Sequence, residues 1–180
     1  LSPASDSLIS APPATATPAN VLPADEASAE WQAKVAGKNI SETSLLATDY
    51  LNHFNEVIML IGMIPDMAEV LEDMRAWQPK SYADHFRDSG FSAKELAIEA
   101  YEHSPPKYKR PFDRAVERLD VEIGQAIERL AGLLEKGNTD ELRHAADEAT
   151  RKLQGLTEFI SAIINGKILK QEEIDRVLLG

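Results

Sequence analysis

Residues 111–166 read PFDRAVERLDVEIGQAIERLAGLLEKGNTDELRHAADEATRKLQGLTEFISAIING, and this stretch decides the fold. Its apolar positions Phe112, Val116, Leu119, Ile123, Ala126, Leu130 and Leu133 alternate four and three residues apart. After Gly137-Asn138 the same spacing resumes at Leu142, Ala146, Ala149, Leu153, Leu156, Ile160 and Ile163. A strict seven-residue period places one narrow seam on each of two helices, as in coiled coils and bundles. Pro111 suits the first helical position, Gly137 the left-handed stop, Thr139 or Asp140 the next cap and Gly166 the final stop. The connection allows only an antiparallel hairpin, over 111–165. Arms of about 26 residues span roughly 39 Å at 1.5 Å per residue. Arms that long need apolar partners on other sides, from upstream helices, a second subunit, or both. The expectation is an all-α helical bundle built on a long antiparallel helical hairpin.

Upstream, SETSLLATDYLNHFNEVIMLIGMI (41–64) sets Leu46, Leu51, Phe54, Val57, Ile58 and Ile61 on a broad helical face. Pro65 ends or kinks that helix and suits the first turn of the next. Ser92 followed by Glu95 has the spacing of a capping box opening another helix, which Pro105 and Pro106 close. The first 28 residues are rich in Pro, Ala, Ser and Thr and contain no Lys or Arg. Such a segment has too few large apolar groups to offset its ordering entropy, so it is expected to be a disordered arm. The predicted organisation is a flexible arm over 1–40, a helical bundle over 41–166 and a C-terminal amphipathic tail over 167–180.

Composition narrows function. The 180 residues carry a formal net charge of −11, which excludes a sequence-independent nucleic-acid binder and a polybasic membrane-surface protein. No apolar run is long enough for membrane insertion as a spanning helix. The absence of cysteine removes disulfides, Cys-ligated metal and a thiol nucleophile, and fits a cytoplasmic location. A chain that begins at Leu1 is expected to be a processed or truncated form.

The tail reads KILKQEEIDRVLLG. Ile174, Val177 and Leu178 form an i, i+3, i+4 ridge suited to a groove, while Glu172, Glu173 and Asp175 supply negative charge. Leu169, Gln171, Glu173, Ile174, Asp175 and Leu178 match the pattern L-x-Q-x-E-I-D-x-L-L. This resembles the segment with which the flagellar switch protein FliM binds the phosphorylated receiver CheY. The chemotaxis phosphatase CheZ has a similar peptide at its extreme C-terminus. Lys170, Arg176 and Val177 stand where the pattern usually has Ser, Ala and Leu. The resemblance covers about ten residues, and it implies a CheY-like receiver domain as partner. The same ridge also suits a terminal helix packed on its own bundle.

A second resemblance lies in GQAIER, 124–129, which is similar to the stretch around the water-positioning glutamine of CheZ. It implies that Gln125 is a catalytic residue, because an amide alone can orient water in line with an acyl phosphate. Gln125 falls at an outward c-type heptad position. CheZ has a carboxylate four residues before that glutamine; here the position is Val121, with Asp120 and Glu122 on either side and expected to point in different directions.

Other chemistry is not supported. A di-iron bundle needs two Glu-x-x-His pairs, and only Glu141/His144 is present, with His144 at an outward f-type position. His144 is also a poor phosphotransfer nucleophile, since the surrounding carboxylates favour its protonated form. No metal or other cofactor is indicated, and there is no Gly-rich phosphate loop or Gly-x-Ser-x-Gly elbow. The connector WQPKSYADHFRDSGF (77–91) gathers Trp77, Tyr82, His85, Phe86, Arg87 and Phe91, either as a plug for the bundle or as a binding surface, the plug being favoured. Three functions follow: an interaction module for a receiver domain, a receiver aspartyl-phosphate phosphatase using Gln125, or a structural bundle that oligomerises, for example as a homodimer.

Overall fold

Ser28 opens the first helix by accepting a hydrogen bond at Oγ from the Trp31 amide, 3.4 Å away. The computed structural model describes residues 25–167 and 170–179; residues 1–24 of the arm expected over 1–40, and Leu169 of the tail motif, lie outside them. Helix α1 spans Ala29–Val35 and buries Trp31 and Val35. The Trp31 ring stacks on His103 at 4.2 Å, and Glu26 pairs with Lys107. The folded region therefore reaches into the span assigned to the 1–40 arm, whose last residue, Ile40, is also buried. One i, i+4 apolar pair in a seven-residue helix is too weak a periodicity to stand out, yet it suffices to dock the segment.

Residues 41–47 form a loop instead of the helix expected from Ser41. Leu45 is fully buried with φ 61°, a left-handed conformation that costs a non-glycine residue about 1–2 kcal/mol. Hydrogen bonds hold it there. The Ser41 and Leu46 backbones pair at 2.9 Å, Ser44 Oγ donates to the Ile164 carbonyl, and Ser104 Oγ donates to the Ser44 carbonyl at 2.7 Å. Leu46 still reaches the core, but from this loop.

A 3₁₀ turn, Thr48–Leu51, leads into α2, Asn52–Met63, which buries Phe54, Val57, Ile58 and Ile61. Pro65 lies in the turn that follows, and α3 begins later, at Val70, and runs to Ala76. Ser81 caps α4, Tyr82–Asp88, through the Asp84 amide. Helix α5 covers Lys94–Glu102 with Ala93 at its N-cap, so the Ser92–Glu95 capping box does not form.

The two long helices are α6, Pro106–Glu135, and α7, Thr139–Ile164. Tyr108 bonds Gly166, Glu122 pairs with Lys152, and Arg129 pairs with Glu148; these nearly constant index sums mean the helices run antiparallel. Pro106, not Pro111, occupies the first helical position, and Pro111 lies inside α6. Asn138 caps α7 in place of Thr139 or Asp140, accepting from the Glu141 amide at 3.3 Å. Gly137 and Gly166 end the helices at φ 67° and 82°. Each makes the paired hydrogen bonds of a Schellman stop, Gly137 to Leu134 with Asn138 to Leu133, and Gly166 to Ile163 with Lys167 to Ala162.

The buried face of α6 is wider than a two-helix seam: Ala115, Glu122, Ile127 and Ala131 are buried along with heptad positions Phe112, Leu119, Ile123, Leu130 and Leu133, while Val116 and Ala126 of the seam are half-buried. Helices α2 and α3 supply the partners that this breadth requires: α2 packs against both α6 and α7, and α3 against α6. The chain is an all-α bundle, and among the described residues no helix is long and apolar enough to cross a membrane. A last helix, α8, runs Gln171–Leu179 and lies against α6.

Candidate functional site

Helix α8 begins with half of a capping box. The Lys170 amide donates to Glu173 Oε2 at 2.9 Å, while the Glu173 and Ile174 amides return to the Lys170 carbonyl. Glu173, expected to face a partner, thus caps its own helix. Ile174 and Val177 are half-buried and pack against the core. Glu172 and Arg176 are exposed, and Asp175 is half-buried. Gln171 and Leu178 lie within the same helix. The motif residues from 171 to 178 therefore share one short amphipathic helix, and Ile174 and Val177 of its aliphatic ridge touch the chain's own bundle.

Gln125 is exposed, as its heptad position requires, and lies at a cleft of about 190 Å³ between α6 and α7. No hydrogen bond holds its amide among the described residues. Glu122 lines this same cleft, three residues along the helix from Gln125, whereas Asp120 lines a separate cleft, so the two carboxylates flanking Val121 point in different directions. Glu122 is not free to act, however. It is 7% exposed and lies between Arg118 at 2.5 Å and Lys152 at 2.6 Å. Arg129 and Glu148 close the cleft as a pair at 2.9 Å. Val121, where a CheZ-like site would have a carboxylate, is an exposed apolar residue. The cleft offers an unengaged amide among charges that neutralise one another.

The connector behaves as a plug: Tyr82, His85 and Phe86 are buried, and Trp77 and Phe91 pack on the core. His53 stacks on Trp77 at 4.9 Å, and Trp77 Nε1 donates to the His53 carbonyl. Burial, together with nearby His85, holds the His53 imidazole below its ordinary pKa.

Beside the plug, sequence reading missed an open cleft of about 420 Å³. Tyr50, Tyr82, Tyr101 and Phe112 meet there, with ring centroids 4.7–6.4 Å apart. Burial pushes all three phenols up, so they stay neutral at any ordinary pH. Facing them along α6 are Asp113, Glu117 and Asp120. Tyr101 donates to Asp113 Oδ1 at 2.8 Å, and burial raises the Asp113 pKa. Burial, helped by the nearby Glu117 charge, pushes Asp120 from its ordinary 3.8 up to about 6. The i, i+4, i+7 spacing of these carboxylates was a visible signal, but nothing in the sequence shows that rings from other segments cover them.

Comparison with known proteins returned no matching family model, curated protein or solved structure.

Proposed function

We propose that the chain is a protein-interaction module that presents α8 to a CheY-like receiver domain, in chemotaxis or flagellar signalling. The observation that carries this reading is the state of α8. It is a separately capped amphipathic helix whose ridge residues Ile174 and Val177 are only half-buried on α6, whereas Ile123, Leu130 and Ile160 of the long helices are fully enclosed. A helix with so shallow a seat can exchange it for a groove on a partner. This role goes with a cytoplasmic location, where receiver domains are phosphorylated.

The test is a titration of a fluorescent peptide of residues 166–180, and of the whole chain, with a CheY-type receiver with and without an acyl-phosphate mimic. Binding should be micromolar and tighten with the mimic. Ile174→Asp should abolish it while the bundle still melts cooperatively. No binding in either state, or binding that survives the substitution, would remove the proposal.

A second reading rests on Gln125, whose amide is exposed and unengaged at the α6–α7 cleft. A receiver docked through α8 would bring its acyl phosphate to the hairpin, where Gln125 would orient the attacking water. Under this reading the chain accelerates phosphate loss from the receiver, and Gln125→Ala removes that acceleration while leaving affinity unchanged. A receiver that binds but loses phosphate at its unassisted rate would leave the interaction module without an enzymatic role.

A further inference from the structure

The aromatic cleft beside α6 has walls of two kinds, and their combination names a ligand class. One wall is hydrocarbon: the rings of Tyr50, Tyr82, Tyr101 and Phe112. Their hydroxyls are already engaged. Tyr50 donates to the Lys80 carbonyl at 2.8 Å, Tyr82 accepts from the Ala47 amide at 2.8 Å, and Tyr101 donates to Asp113. The rings therefore meet the cleft mainly with carbon, and a ring face attracts positive charge through its quadrupole. The Tyr101 ring already attracts one cation, Lys109, whose Nζ lies 3.9 Å from the ring centre although Lys109 does not line this cleft.

The other wall is anionic and short of counter-charge. Asp113 has the Tyr101 hydroxyl and the field of Lys109. Asp120 has neither: its Oδ1 is enclosed with no hydrogen-bond partner among the described residues. Its nearest charged influence, Glu117, is of the same sign. Lys80 also lines the cleft, but its ammonium is bonded to Asp88 at 2.8 Å. A half-buried carboxylate whose enclosed oxygen has no partner is costly, and an arriving cation would relieve that cost.

We propose that this cleft binds a small organic ammonium ion, with its alkyl groups against Tyr101, Tyr82 and Phe112 and its positive charge toward Asp120 and Glu117. A divalent metal suits the place poorly, because aromatic walls cannot replace the six or more oxygen ligands such an ion takes. An organic cation sheds little hydration and gains from both walls. The cleft's 420 Å³ also lies within the roughly 300–1,000 Å³ usual for small-molecule sites. This site is separate from α8 and from Gln125, and it does not depend on the receiver reading.

The experiment is calorimetric titration of the whole chain with choline chloride at pH 7.5 and constant ionic strength, alongside the uncharged carbon analogue 3,3-dimethylbutan-1-ol. Choline should bind saturably at millimolar concentration, and the alcohol at least about tenfold more weakly. Asp120→Asn should weaken choline binding by about tenfold or more, and lowering the pH to 5 should have a similar effect by protonating Asp120. Glu117 is exposed, so Glu117→Gln leaves the fold intact; it should weaken binding by about threefold. Equal affinity for choline and the alcohol, no saturable choline binding, or unchanged affinity in both variants would overturn the proposal.

Discussion

Replacing Asp120 by Asn should stabilise the protein, and only above a definite pH. The folded chain holds the Asp120 proton more tightly than the unfolded chain does, since its pKa rises from 3.8 to about 6. Such a group imposes no penalty below pH 3.8, a growing one as the pH climbs towards 6, and its full penalty above that. The distance between the two values corresponds to about 3 kcal/mol. Because Asp120 is only half-buried, screening by solvent reduces this to about 1–2 kcal/mol. The amide removes the titration while keeping the shape. For a chain of this size about 1 kcal/mol moves the melting temperature by about 2–4 °C, so Asp120→Asn should melt roughly 2–8 °C higher at pH 7.5. At pH 4 the gain should vanish. The tyrosines facing Asp120 stay neutral throughout this window and add no charge of their own. Thermal melts of both proteins from pH 4 to 8, followed by circular dichroism, give the answer. An equal or lower melting temperature at pH 7.5, or a gain that persists at pH 4, would refute the assignment of an uncompensated carboxylate.

Three further outcomes follow from packing. Gly137→Ala places a side chain at φ 67° in open space and should cost about 1 kcal/mol, whereas Gly166→Ala at φ 82° meets Thr43 Cγ2 at 2.7 Å and should cost about 2–4 kcal/mol; equal losses in urea titrations would refute the close contact. Glu122→Met should be nearly neutral, but Arg118→Met with Lys152→Met, which leaves Glu122 buried and unpaired, should cost about 3 kcal/mol; a harmless double variant would show Glu122 to be hydrated. Deleting residues 167–180 removes the Ile174 and Val177 contacts and should lower the melting temperature by roughly 2–8 °C, through about 1–2 kcal/mol. An unchanged melting temperature would mean that α8 contributes nothing to the bundle.

The long helices could be read from sequence because their signals are dense. A sustained apolar period and two glycines with no conformational rival at the stops leave few alternatives. Where the reading failed, the fold is decided by contacts between distant residues. Leu45 looks like one more apolar position of a helix; its left-handed backbone persists because Ser44 ties the loop to the end of α7 and Ser104 ties it to the turn between α5 and α6. Glu122 looks like a solvated flank position and is buried because Lys152 comes to it from the opposite helix. The aromatic cleft was hidden for the same reason. Asp113, Glu117 and Asp120 sit where a heptad carries surface charge, and only the return of Tyr50, Tyr82 and Tyr101 to that face turns it into an enclosure. For the tail, the pattern indicated an amphipathic helix, but nothing in it distinguishes a partner's groove from α6.

These two destinations of the tail are linked. Under the receiver reading, a partner must first draw α8 off α6, so whatever the seat adds to stability is subtracted from binding. A seat worth about 1–2 kcal/mol leaves α8 undocked roughly a thirtieth to a sixth of the time, and the whole chain then binds about 6- to 30-fold more weakly than the isolated peptide. The stability lost on tail deletion and the affinity ratio of peptide to chain measure one quantity by independent routes. Agreement between them would place the ridge of Ile174 and Val177 in a single competition. A stable seat with no affinity difference would mean that the receiver grips α8 by its outer face instead, while the aliphatic ridge stays where it lies on α6.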